Sequence, residues 1–268
     1  MKLVAIVRAP PRIEEAAAAL AAAAGLTLAE SRMRLAPEPP ALLARLEDGA
    51  ADALVGSLRA AGLAALAIDA RVPTGVDRTQ AHRVELDHEG VTLTPRFGEA
   101  MRIAWADVRM VLRGSRESGS ETERTEKSTS LSLGMAVATG GLKVTRTSTK
   151  TVHSSETSIQ QVILVYARDG RAAALIEGQV DFTCLGSDLQ PSSTANMAAL
   201  GRRLRERAPG AFHDERLLRL GRRPLPFVAT GEARTGTAGS VVTTKSTAAS
   251  LDILAEVLHQ AVAQGLLP

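Results

Sequence analysis

Apolar residues occupy alternate positions through most of His82–Gly114: Val84 and Leu86, Val91 and Leu93, Met101, Ile103 and Trp105, then Val108, Met110 and Leu112. A period of two belongs to strands with one buried face. After a long insert the pattern is completed by QVILVYARDGRAAALIEGQVDFTCLG. Within it, Asp169-Gly170 suits positive φ and predicts a hairpin between Val162–Arg168 and Ala172–Glu177. Val180–Leu185 reads as a seventh strand. Ser192 or Ser193 is then placed to cap a helix with Met197, Leu200 and Leu204 on one face, stopped by Pro209-Gly210. An antiparallel sheet is therefore expected at the centre of the chain.

The first 70 residues follow a different pattern. Leu3–Val7 reads as a strand stopped by Pro10 and Pro11, and Ile13–Ala24 as an Ala-rich helix closed by Gly25. Thr27 can cap a second helix running to about Leu35. A short amphipathic stretch, Ala41–Leu46, precedes a third helix, Ala50–Ala61, ending at Gly62 with Leu54, Leu58 and Ala61 on one face. Leu63–Ile68 closes the unit as a strand. Gly25, Leu26, Leu28 and Glu30 in GLTLAESRMRL, then Asp52, Ala53, Leu58, Ala61 and Gly62 in LLARLEDGAADALVGSLRAAGLAALAID, resemble the C-terminal domain of the bacterial ribosomal stalk protein and its structural relative, the Clp protease adaptor. The resemblance implies a small α/β sandwich. The basic face with which the stalk family meets translational GTPases falls here on Ile13, Ala18, Ala21 and Ala29, so the resemblance implies the fold and not that partner. The central strands with their following helix resemble, in count and pattern, the pleckstrin-homology-like superfold, whose helix plugs the open end of a barrel.

The expected class is α+β: a stalk/adaptor-like α/β domain at 1–70, a linker at 71–81 rich in Pro, Gly and polar residues, and a pleckstrin-homology-like sheet domain at 82–208 carrying an insertion at 115–160. A C-terminal part, 209–268, follows. It comprises a partly helical wrap (FHDERLLRLGRRPLPF), a Ser/Thr/Gly-rich linker at Thr235–Ala249, and a last helix, Leu251–Ala263, with Ser250 as N-cap. At 268 residues the chain is long enough for two such cores. The insertion is about two-fifths Ser and Thr, a bias that ordinarily marks disorder. Yet LKVTRTSTKTV alternates, and Thr favours strands. We expect a β-arm continuing the sheet strands, with the apolar piece LSLGMAVATGGL near its tip.

Chemistry is sparse. Cys184 is the single cysteine, which excludes an intrachain disulfide and any multi-thiolate metal site. Its apolar context, DFTCLG, suits a structural thiol. The five histidines are dispersed, and His213-Asp214-Glu215 reads as a surface turn. There is no G-x-S-x-G elbow and no glycine loop ending in Gly-Lys-Ser/Thr. No enzyme, cofactor or metal is expected. The apolar start, MKLVAIV, is too short for a signal-peptide core, and no apolar run spans a bilayer, so the expected location is the cytoplasm.

Two features point to binding. Arg202, Arg203, Arg205, Arg207, Arg216, Arg219, Arg222 and Arg223 crowd one stretch against Glu206, Asp214 and Glu215. They read either as a solvated, ion-paired face or as an anion surface. Leu131, Leu133, Met135 and Val137 in the apolar tip read either as packed core or as a docking surface. The leading expectation is a non-enzymatic protein-binding or self-associating module of unknown pathway. The second reading is an anion-surface binder, for acidic membrane or nucleic acid, through Arg202, Arg203, Arg205, Arg219, Arg222 and Arg223. A net charge of +3 does not by itself decide between them.

Overall fold

In a computed structural model, the structure describes residues 1–131, 145–229, 231–235 and 241–268, with side chains described outside 120–155 and 230–242. The chain is α+β and forms two compact units: Met1–Arg116 with Gln160–Ala229 and Thr247–Pro268, and Glu117–Ile159 with Thr230–Ser246.

The larger unit begins with β1 (Lys2–Ile6), α1 (Ile13–Ala24), α2 (Leu28–Leu35), β2 (Ala41–Leu46), α3 (Asp48–Ala60) and β3 (Ala65–Asp69). The local signals explain these boundaries. Gly25 closes α1 at φ 64, and Thr27 and Glu30 form a reciprocal capping box at the start of α2. The strands make a small antiparallel sheet in the order β2-β1-β3. Both of its faces are buried. Val4 and Ile6 pack with Ala16, Leu20, Leu54 and Leu58 of the helices, while Leu3, Ala5, Leu66 and Ile68 point into a second core.

That second core is shared with a curled, mixed sheet made of β4 (Thr79–Leu86), β5 (Gly90–Pro95), β6 (Met101–Ala104), β7 (Val108–Leu131), β8 (Thr145–Ala167) and β9 (Ala172–Ile176). Its order is β7-β8-β9-β4-β5-β6, antiparallel except where β4 runs parallel to β9. Met110, Leu112, Val162, Leu164 and Tyr166 face the second core. Val111, Ile163 and Val165 face the opposite way, onto Met197, Leu200 and Leu204 of α4 (Ser193–Arg207). Two covered faces explain why VILVYA is a continuous apolar run rather than an alternating one. Ser192 caps α4, its Oγ accepting from Ala195 N at 3.2 Å, and Gly170 makes the expected hairpin turn at φ 91. After α4 come β10 (Phe212–Asp214), parallel to β7, and a single helical turn, α5 (Leu217–Leu220). The last helix, α6 (Ala248–Ala263), is buried on nearly all sides, with Leu251, Leu254, Val257, Leu258 and Ala261 in the second core.

In the smaller unit the distal part of β7 pairs with β12 (Val241–Ser246), which pairs with β11 (Gly231–Thr235). The expected strand continuation through the insertion is present, since β7 and β8 run unbroken for 24 and 23 residues.

Several expectations need correction. Val180–Leu185 is not a strand. A single bridge, Arg83 to Asp181, is followed by a 3-10 turn at Thr183–Asp188. The Asp181 carboxylate accepts from Thr183 N at 2.9 Å, a local turn that competes with ladder pairing. The Ser/Thr/Gly-rich linker instead contains β12, paired with β11 just before it, because Val and Thr take strand geometry readily once β7 offers an edge. The wrap contains β10. Thr247, not Ser250, stands at the N-cap of α6, and Ser250 is buried inside the helix. The compact units do not divide at 71–81. Arg78 of that stretch is buried, and the small sheet and the large one contribute to a common core.

Candidate functional site

The expected arginine surface separates into two groups. Arg203 is structural: it donates to the carbonyls of Cys184 (2.7 Å) and Leu185 (2.8 Å) and to Asp188 (2.6 Å), tying α4 to the 3-10 turn. Arg205 pairs with Glu215 at 2.8 Å, and Glu215 also meets Arg113 at 3.2 Å. Arg216 pairs with Asp214 at 2.7 Å and donates to Pro39 O at 3.0 Å. Arg219 pairs with Glu38. By contrast Arg202, Arg222 and Arg223 are exposed and have no ion-pair partner among the described residues. The stretch is thus a set of ion pairs with a few free cations, not a continuous positive patch. In the apolar tip, Leu131 ends β7 with its side chain outside the described residues, and Leu133, Met135 and Val137 lie outside them altogether.

One of the candidate arginines, Arg223, borders an apolar cleft of about 370 Å³, and Arg219 pairs with Glu38 on the same lining. Its walls come from the end of α2 and the turn after it (Met33, Ala36, Pro37, Pro40) and from α5 and the segment beyond (Leu220, Arg223, Pro224, Leu225, Pro226), with Leu42 of β2 and Leu254 of α6 also lining it. The sequence shapes both walls locally. Pro37 prevents α2 from continuing, and Pro224 and Pro226 prevent helix in the segment after α5, which turns at Pro226-Phe227. Met33 is 75% exposed at its edge. The Glu38–Arg219 pair lies at the rim, and Arg223 contributes a cation that nothing in the described protein neutralises. Sequence reading finds Arg219 and Arg223 but not the cleft, whose walls lie far apart in the chain; the proline pairs were the available signal.

A second arrangement was not anticipated from the sequence at all. Asp252, Glu256 and His259 of α6 form a polar row that meets Arg78 and Tyr166 inside the second core. Arg78 has a side chain only 1% exposed; it pairs with Asp252 and donates to Pro73 O at 2.9 Å. The Tyr166 ring stacks on His259 with centroids 4.7 Å apart, and its hydroxyl has no hydrogen-bond partner. His259 Nδ1 lies 3.5 Å from Glu256, and Gln260 donates to Glu256 at 2.8 Å. Burial pushes the Tyr166 phenol up to about 12, with the Arg78 charge pulling partly the other way. Burial likewise raises the Asp252 carboxyl against the pull of Arg78. Burial also acts to raise Glu256, but the His259 and Gln260 side chains outweigh it and leave this carboxyl below its ordinary range. Such a group ties α6 to Arg78 and to the Tyr166 ring, and Asp252 also lines a surface cleft beside Arg71 and Thr74.

The remaining single residues are structural. Cys184 is half-buried, and burial raises its thiol. His213 contacts Ala208 O at 2.8 Å and lies within β10 rather than in a surface turn. Among the described residues no three His, Cys, Asp or Glu side chains converge on a common point, and no helix is long and apolar enough to cross a membrane. Comparison with protein-family models, curated proteins and solved structures finds no match to this chain.

Proposed function

We propose that this chain is a protein-binding module whose cleft between α2 and the segment after α5 receives an acidic partner segment anchored by apolar side chains. The observation that carries the reading is the pairing of an apolar, proline-walled cleft with an exposed cation on its lining, Arg223, and a second beside it in the chain, Arg222, neither with an ion-pair partner among the described residues. An apolar floor favours a buried anchor, and a cationic rim favours acidic flanks and faster encounter. The same ion pairs that tie up Arg203, Arg205 and Arg219 argue against a broad surface for nucleic acid or acidic lipid.

The test is a binding measurement on the full chain with a peptide alternating Asp/Glu with Leu/Phe, beside a Lys-substituted version of that peptide, anionic vesicles and single-stranded DNA. The acidic peptide is expected to bind. Arg222→Glu with Arg223→Glu, and separately Met33→Glu, should each weaken it about tenfold or more. All three positions are exposed, so unfolding does not confound the result. Equal binding of the two peptides, or binding to vesicles or DNA alone with steep salt dependence, would overturn the reading.

A further inference from the structure

A separate cleft of about 470 Å³ lies where β4 approaches the β5–β6 turn. Its volume is in the range of small-molecule sites. The pairing of β4 with β5 shifts register between Ala81 and Arg83, an irregularity that re-aims the side chain between them. That side chain is His82, which lines the cleft. Its Nδ1 lies 2.5 Å from Gln179 O. A carbonyl oxygen only accepts, so Nδ1 carries the proton and Nε2 of the neutral ring is left as an acceptor.

The opposite side is the turn after Pro95. Arg96 there is exposed and has no ion-pair partner among the described residues. Phe97 is 92% exposed, in a chain only 2% aromatic whose Tyr166 is buried and whose Trp105 is half-covered. Leaving that ring in water gains nothing for the fold. Gly98, at φ 102, gives the turn a conformation that other residues rarely adopt. The cleft therefore has a guanidinium, an aromatic face and an imidazole acceptor on its lining. Glu99 also lines it, and its charge disfavours a dianion such as phosphate.

We propose that this cleft binds a small planar carboxylate carrying a hydroxyl or N–H donor. Arg96 takes the carboxylate, Phe97 covers the planar body, and His82 Nε2 accepts from the donor. This goes beyond the docking cleft and uses none of its residues.

The probes are 4-hydroxybenzoate, benzoate, 4-hydroxybenzamide and inorganic phosphate, each titrated into the full chain by calorimetry and ligand-observed NMR. We expect 4-hydroxybenzoate to bind most tightly, benzoate and 4-hydroxybenzamide more weakly, and phosphate weakest of all. Arg96→Ala and Phe97→Ala should each weaken 4-hydroxybenzoate about tenfold or more. Both side chains are exposed, and unchanged thermal midpoints would show that the variants remain folded. The proposal is overturned if 4-hydroxybenzoate does not bind at millimolar concentration. It is equally overturned if the neutral amide or plain benzoate binds as well, if phosphate competes, or if the two folded variants bind like the parent chain.

Discussion

Tyr166 is the residue at which burial and protonation are most directly linked. It is the only tyrosine in the chain, 3% exposed, and its hydroxyl lies near the Arg78 guanidinium without a well-aligned hydrogen bond. Its phenol is raised from 10.0 to about 12, so the sign follows. The folded form keeps the proton where the unfolded chain loses it. Stability is therefore complete below the unfolded value and is lost as pH climbs through that interval, by roughly 3 kcal/mol for this group. Removing an unpaired buried hydroxyl is close to neutral near pH 7. We therefore expect Tyr166→Phe to unfold in urea within about 1 kcal/mol of the parent at pH 7, and to lose less stability than the parent between pH 10 and pH 12. Parallel stability curves for the two chains across that alkaline range would contradict this account.

At the scale of elements, α6 matters most. Its sequence has an apolar stripe, Leu251, Leu254 and Leu258, opposite a polar row, Asp252, Glu256 and His259, and such a helix ordinarily wets its polar side. Here the polar row is covered because Arg78, 174 residues away, supplies the counter-charge for Asp252. A buried pair of this kind contributes orientation more than net stability, but losing one partner strands a charge. Arg78→Met should destabilise the chain by about 3–5 kcal/mol, and Arg78→Met with Asp252→Leu should recover most of that loss. Chemical denaturation of the two variants decides the matter. If the double variant is as unstable as the single one, the pair's role as a matched unit is refuted.

At the scale of the whole chain, the stretch 71–81 has the composition of a linker but does not separate two independent cores. The face of the small sheet formed by Leu3, Ala5, Leu66 and Ile68 is covered by α6 and by residues of the large sheet. A chain beginning at His82 would lose Arg78 together with that cover, leaving Asp252 without its counter-charge beside an exposed apolar face. Such a fragment is expected to lack a cooperative thermal transition. Limited proteolysis of the full chain should accordingly fail to leave a stable product starting near His82. A well-folded fragment with a sharp transition would restore the two-domain division.

What the sequence determined by itself is the local structure. The capping box at Thr27 and Glu30, the Gly25 stop, the Ser192 cap and the Asp169-Gly170 turn depend on residues a few positions apart, so their chemistry is legible in order. The alternation in β5 and β7 marked a buried sheet for the same reason. Only the tertiary structure decided which polar residues would be buried, which arginines would be consumed, and whether Val241–Ser246 would be a strand. Each of those outcomes depends on a partner distant in the chain: Asp252 on Arg78, Arg219 on Glu38, and β12 on the edge of β7. The proline-walled cleft has the same origin, since its two walls are joined only by the packing that brings Pro40 and Leu220 to line one space.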